Sequence, residues 1–417
     1  MKVLLLHNYY CTTAPSGENE VFDTERKILK TSTPWDVTEI VRYNDDITDW
    51  SGCRKLGIGI RATWNAAAVG EVRATIQNAA PNILHVHNTF PQFSPAVFLA
   101  ARGTPTATVL TVHNSRMFCA NGLCFRDGAP CMRCIDEHSV RSALRFRCYR
   151  SSLASTAPVA SMIAVHRALG TWCRHVDAFI ALSEFQRDLL VRGGLPADRI
   201  HVKPNCYPNA PQPLPWDARE PKAIFVGRLT SEKGVQVLLS AWKQMREKAP
   251  RLEVIGSGRE LCSLMRDAEE AKLPITFLGQ LSFDDVQDRI RKSRLLVVPS
   301  LSFEGFPMVI REAFAHGVPV VASQIGSIAS IIQDGENGLL VRPGDAAELA
   351  NIIEQLWGDD KRAQSLGACG RISFERSYTE AAHLRITSRV YAMAMEHRRA
   401  RQASQGKANS VSAAKVH

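Results

Sequence analysis

Short runs of almost continuous apolar residues recur along the chain, separated by stretches long enough for a helix. In the first half they fall at 3–6, 83–86, 108–112, 178–182 and 200–202. Strands covered on both faces have this composition, and the helix-length spacers turn the rhythm into repeated β-α-β units with parallel strands. The rhythm breaks at Pro208-Asn209-Ala210-Pro211-Gln212-Pro213-Leu214-Pro215, then restarts at 223–226, 252–255, 275–278, 295–298, 318–322 and 339–341. Two doubly wound parallel-sheet α/β domains account for this pattern, with residues 1–207 in the first, 208–221 as linker and 222–375 in the second. A further helix is expected over 376–401, where Leu384, Ile386, Val390, Tyr391 and Met395 are enough to dock it on a domain. From 402 to 417 the chain is mostly Ser, Ala, Gln, Asn and Lys, which predicts a disordered tail.

Composition narrows the class. With 417 residues, 45% apolar and 22% charged, the chain is long enough for sizeable cores and too ordinary in usage to be collagenous or wholly disordered. No apolar run approaches the roughly 18 residues of a membrane span, and the opening run meets His7 and Asn8 too soon for a signal peptide, so a cytoplasmic protein is expected. The net charge of +10 favours an anionic partner. Part of the excess is local: Arg141, Arg145, Arg147 and Arg150 lie within ten residues free of acids, with Arg167 and Arg174 following. Clustered arginines beside an amphipathic helix suit an anionic membrane surface, here the inner face of a bacterial membrane, although a solvated basic face accounts for them equally well.

Candidate chemistry concentrates in the second half. Phe225-Val226-Gly227-Arg228-Leu229-Thr230-Ser231-Glu232-Lys233-Gly234 sets two glycines and two cations between a strand and a helix. Ligands bind there in open α/β sheets, and freed backbone N–H groups with Arg228 and Lys233 suit a diphosphate. A second strand runs into Pro299-Ser300-Leu301-Ser302-Phe303-Glu304-Gly305-Phe306-Pro307-Met308-Val309-Ile310-Arg311-Glu312-Ala313. Pro307 suits a first helical turn, the N–H groups of 306–309 face the sheet edge, and carboxylates such as Glu304 and Glu312 accept hydrogen bonds from diols.

These segments, with Gly317-Val318-Pro319-Val320-Val321-Ala322 and Asp334-Gly335-Glu336-Asn337-Gly338, resemble the retaining family-4 glycosyltransferases of the GT-B fold, including their pair of glutamates eight positions apart. The resemblance covers the second domain nearly end to end. It implies two Rossmann-like domains with an intervening cleft, a nucleotide diphosphate-sugar donor on the C-terminal domain, a glycan or lipid-linked acceptor on the N-terminal one, and a C-terminal helix crossing back to the first domain. Arg228 and Lys233 would then hold the diphosphate, Glu304 the donor sugar and Glu312 the ribose. Gly256, Gly258 and Gly279 would lie near the base, and Gly305, Phe306, Pro307, Met308 and Val309 would complete the donor site. In the first domain, Gly17 of Ser16-Gly17-Glu18-Asn19-Glu20 would approach the donor phosphate, and His113 of Thr111-Val112-His113-Asn114 would face the reacting sugar. Two cations aimed at the departing diphosphate stabilise that transition state with no catalytic metal or other cofactor.

Five of the eleven cysteines fall between 119 and 148. Cys131-Met132-Arg133-Cys134 has knuckle spacing, and Cys119 and Cys148 flank it, so the four read as a structural zinc set, with reduced thiols as the alternative. A similar insertion occurs in some bacterial members of the family. The function read from the sequence is therefore a retaining transferase of bacterial surface or exopolysaccharide synthesis. The alternatives are a nucleotide-sugar epimerase of the same fold and, in a different class, a zinc-knuckle protein that binds nucleic acid. The last leaves the second domain unexplained, so no nucleic acid partner is expected.

Overall fold

The computed structural model describes residues 1–11, 16–48 and 53–413, and the chain divides into two compact units. The first comprises residues 1–122, 132–203 and 384–417; the second comprises 123–131 and 204–383.

The first unit is built on six parallel strands: β1 (Lys2–Tyr9), β2 (Asp36–Tyr43), β3 (Ile83–Val86), β4 (Ala107–Thr111), β5 (Ala178–Ala181) and β6 (Ile200–Val202). Their order is β2-β1-β3-β4-β5-β6, so the winding direction reverses between β1 and β3. One face packs Val3, Leu5, Ile83, Ala107, Val109, Ala178 and Ile180 against Phe22 and Leu29 of α1 (Gly17–Thr31) and against Val390, Tyr391 and Ala394 of the C-terminal helix, Glu380–Ala413. Each buried Leu, Val or Phe contributes about 1.5–3 kcal/mol relative to exposure. Strand β2 escapes the sequence pattern because its residues are half-exposed at the sheet edge and need not be continuously apolar.

The C-terminal helix runs on to Ala413, into the segment expected as a tail, and 414–417 lie outside the described residues. Once a helix is nucleated, a continuation rich in Ala, Ser and Gln extends it without a new nucleus.

The second unit carries β7 (Lys222–Val226), β8 (Arg251–Ile255), β9 (Ile275–Gly279), β10 (Leu295–Val298), β11 (Val320–Ser323) and β12 (Leu339–Val341), all parallel, in the order β9-β8-β7-β10-β11-β12. Counted from β7 this is the 3-2-1-4-5-6 order of dinucleotide-binding sheets, with the switch point between β7 and β10. The Pro-rich linker is fastened to this unit through the buried Arg219, whose guanidinium donates to the carbonyls of Leu214, His316 (2.8 Å) and Gly317 (3.0 Å). Four hydrogen bonds from one buried guanidinium to backbone carbonyls hold irregular chain without a sheet.

Candidate active site

The second unit's polar cluster sits at its switch point. After β7 the chain turns at Gly227, whose N–H donates to Ile255 O, and Leu229 N–H donates to Ser257 O, so the turns after β7 and β8 lie side by side. Gly256 makes that possible: at φ +135° a Cβ there would stand 1.9 Å from Gly227 O. A second close approach follows at Gly234 (φ +69°), which opens α2 (Val235–Met245) and where a Cβ would stand 1.8 Å from Pro299 O at the end of β10. Leu301 N–H also donates to Glu232 O at 2.9 Å. These contacts carry Lys233 to Glu304: Lys233 Nζ lies 2.7 Å from Glu304 Oε2, and Ser300 Oγ donates to the other carboxylate oxygen.

Burial pushes the Glu304 carboxyl up, but the charge and hydrogen bond of Lys233, with Ser300 and Arg228, outweigh it and hold the group below the usual carboxylate range. Glu304 is therefore an anion at neutral pH. Arg228 pairs with Glu232 at 3.3 Å and keeps its side chain largely exposed, so a cation remains open to an incoming anion beside the Lys233–Glu304 pair.

Pro307 is the N-cap of α3 (Met308–Ala315), one position before the first turn. Phe306 is buried, Met308 and Val309 are half-buried, and Gly305 O accepts from Ser327 Oγ at 3.1 Å. Glu312 is buried on α3 and paired with Arg311 at 2.9 Å; Arg311 also donates to Cys206 O. Gly279 ends β9, where its carbonyl accepts from Gly256 N–H at 2.8 Å. Lys233, Arg228 and Glu304 are thus brought together by the fold, and the partners the motif left without a role are Ser300, Arg311 and Ser327.

The first unit has its own pocket at its switch point, a cavity of about 60 Å³ lined by Glu18, His87, Asn88, His113, Asn114 and Arg116 on its polar side. Phe98, Leu110, Met162 and Trp172 line its apolar side. Gly17 begins α1, with Ser16 as N-cap accepting from Glu18 N–H. Glu18 accepts from Asn114 Nδ2 at 3.2 Å, and burial raises its carboxyl to about 7 against the pull of Arg116.

His113 Nε2 lies 3.1 Å from His87 Nδ1. Burial, then His7, Lys203 and His85, hold the His113 imidazole well below its usual range. Behind these rings Glu25 and Lys203 form a buried ion pair of 2.6 Å. Sequence reasoning reached His113 and passed over Glu25, His85, His87 and Lys203. The signal available was His85-Val86-His87, two histidines that alternation puts on one face of a strand.

Of the four cysteines read as zinc ligands, Cys119, Cys134 and Cys148 lie in the first unit and Cys131 in the second. Cys119 Sγ donates to Asn121 Oδ1 at 3.0 Å, and Cys131 N–H donates to Cys124 O at 2.7 Å.

Known proteins resemble the chain across both units. The model of the glycosyl transferase 4-like domain matches residues 35–206, and that of glycosyl transferases group 1 matches 220–359. An uncharacterized glycosyltransferase of Methanocaldococcus jannaschii is 35% identical over 149 residues, 36% of this chain and 41% of its own. A D-inositol 3-phosphate glycosyltransferase of Xylanimonas cellulosilytica is 31% identical over 249 residues, 54% of this chain and 59% of its own. The matched region is thus about two fifths and three fifths of these curated relatives. HepE of Anabaena, crystallised with UDP, shares the fold with a TM-score of 0.65 at 18% identity, over 94% of this chain and 100% of that one.

Proposed function

Because the chain belongs to the family-4 glycosyltransferases of the GT-B fold, we propose that it transfers a sugar with retention from a nucleotide diphosphate donor to a glycan or lipid-linked acceptor. The observation that carries this reading is the Lys233–Glu304 pair at the switch point of the second unit, with Arg228 beside it. In the reaction the bond between the anomeric carbon and the diphosphate oxygen breaks, and the acceptor hydroxyl oxygen bonds to the same face of that carbon while its proton passes to the departing diphosphate oxygen. Negative charge grows on the diphosphate, where Arg228, Lys233 and the N–H groups that open α3 stabilise it; positive charge on the sugar is met by Glu304. Glu312, paired with Arg311, holds the ribose diol, and His113 acts on the sugar side. No bound cofactor is needed for these steps. The Anabaena protein's complex with UDP supports a uridine nucleotide as the first donor to test.

The acceptor and its location are read from the first unit. Arg141, Arg145, Arg147 and Arg150 are all exposed, and Leu153, Val165 and Leu169 are exposed on and beside the helix Leu153–Ala168. No described helix is long and apolar enough to cross a membrane. Exposed arginines and exposed apolar side chains in this region support a peripheral position on anionic lipid, as suits a lipid-linked acceptor of surface or exopolysaccharide synthesis.

The test is a screen of UDP- and GDP-sugars with lipid extracts, reading release of nucleoside diphosphate and the anomeric configuration of the product. Acceptor-dependent release with retention is expected. Interconversion of donors without release would make the protein an epimerase, and inversion would discard the assigned roles of Glu304 and Lys233.

A further inference from the structure

A column of polar groups runs through the first unit beneath His113, and the transfer chemistry proposed above uses only its last member. Parallel register builds it: His85 pairs with Leu5 of β1 and Val109 of β4, so the next residues on that face, His7, His87 and Thr111, are neighbours, with His113 beyond. Glu25 enters from α1, Lys203 follows β6, and Tyr391 comes from the C-terminal helix.

Ligand atoms of Glu25, His85 and His87 lie within 4.8 Å of one another. A cation there would have to displace groups already in place. Lys203 Nζ is 2.6 Å from Glu25 Oε2, and His85 uses both ring nitrogens, Nδ1 with Tyr391 Oη and Nε2 with Thr111 Oγ1, each at 2.8 Å. The cluster is a hydrogen-bonded chain.

One link of that chain has a defined polarity. One proton, and only one, lies between His87 Nδ1 and His113 Nε2, 3.1 Å apart, because burial keeps both rings neutral. The other nitrogen of His87, Nε2, is buried and has no hydrogen-bond partner among the described residues, and Glu25 Oε2 is 4.0 Å from it. A carboxylate attracts an N–H dipole and repels a lone pair, while the Lys203 ammonium is engaged by Glu25.

We propose that His87 is a positioning residue: its Nε2 carries the proton facing Glu25, its Nδ1 accepts from His113 Nε2–H, and His113 is thereby fixed with an unprotonated Nδ1 for the sugar side of the reaction. The proposal rests on the transferase reading for its consequence, not for its geometry. The Glu25–Lys203 pair acts further back. Neither residue lines the pocket, and removing either would leave the other as a buried lone charge.

Two measurements test it. Nitrogen NMR of histidine-labelled wild-type protein reads the tautomers directly; the assignment requires Nε2–H on both His87 and His113, and Nδ1–H on His87 would overturn it. In transfer assays, His87→Phe keeps ring volume but cannot accept, and is expected to lower kcat at least about tenfold with donor KM within about twofold. His87→Asn, whose Oδ1 can accept from His113, should recover most of that loss. Equal kcat in the Phe variant and wild type, or no advantage of Asn over Phe, would reduce His87 to packing. If no donor is turned over at all, the transferase reading fails while the NMR result still decides the tautomer.

Discussion

Lys233 and Glu304 are the residues on which the functional reading stands, and their substitution separates chemistry from folding. Lys233→Ala removes the cation aimed at the leaving diphosphate, and a loss of at least about two orders of magnitude in kcat is expected. Glu304→Gln keeps the shape and the bond to Ser300 but not the charge, and should lose a similar factor. Both side chains are partly exposed at a loop, so circular dichroism and the melting temperature should barely move. Transfer within a few-fold of wild type in both variants would remove these residues from the site. Gly234→Ala is predicted to behave oppositely. Its Cβ would meet a backbone carbonyl at 1.8 Å at a φ of +69°, and neither the strand end nor the turn can yield cheaply. Protein yield and melting temperature should fall before any kinetic effect can be read.

At the scale of elements, the buried strands were legible because a parallel sheet covered on both faces needs continuous apolar runs. Strand β2 was not, since Asp36–Tyr43 mixes polar and apolar residues at a half-exposed edge. The second unit's site was legible as well: its residues are concentrated in two strand-to-helix turns with glycines at close approaches. The first unit's column was not, because Glu25, His85, His87, His113, Lys203 and Tyr391 come from five elements and are joined only by register and packing. The segment 119–148 carries its own prediction on cysteine spacing alone. The zinc reading rests on that spacing: among the described residues the side chains close enough to hold a common cation do not include Cys119, Cys131, Cys134 or Cys148, and the segment's regular structure is limited to two-residue strands and helical segments of three to five residues. Protein purified without chelator should contain about one zinc per chain, and Cys131→Ser should lose it and expose the segment to protease. Zinc near zero with an unchanged digestion pattern would leave four reduced thiols.

Across the whole molecule, acid stability follows from histidines that the fold keeps neutral. In the first unit burial lowers His7 to about 4 despite its bond to Asn19; in the second, burial followed by Arg291, Arg219 and Arg371 lowers His316 to about 4. The unfolded imidazole binds its proton near 6.5, the folded one only near 4, so between these values the unfolded chain holds more protons and stability falls as pH falls. At pH 5 each of the two histidines accounts for about 2 kcal/mol of lost stability, rising to about 3 kcal/mol below pH 4. His85, His87 and His113 add to the first unit in the same direction. Destabilisation should therefore begin near pH 6.5, above the range of ordinary carboxylates; in the first unit the Glu18 carboxyl, raised to about 7, works against it, so the second unit should show it more clearly. Urea unfolding followed by tryptophan fluorescence, with Trp172 buried in the first unit and Trp242 in the second, should show midpoints that drop between pH 7.5 and 5. His316→Gln should flatten the slope of the second unit alone, and midpoints that hold constant down to pH 5 would mean these rings are already protonated in the folded protein.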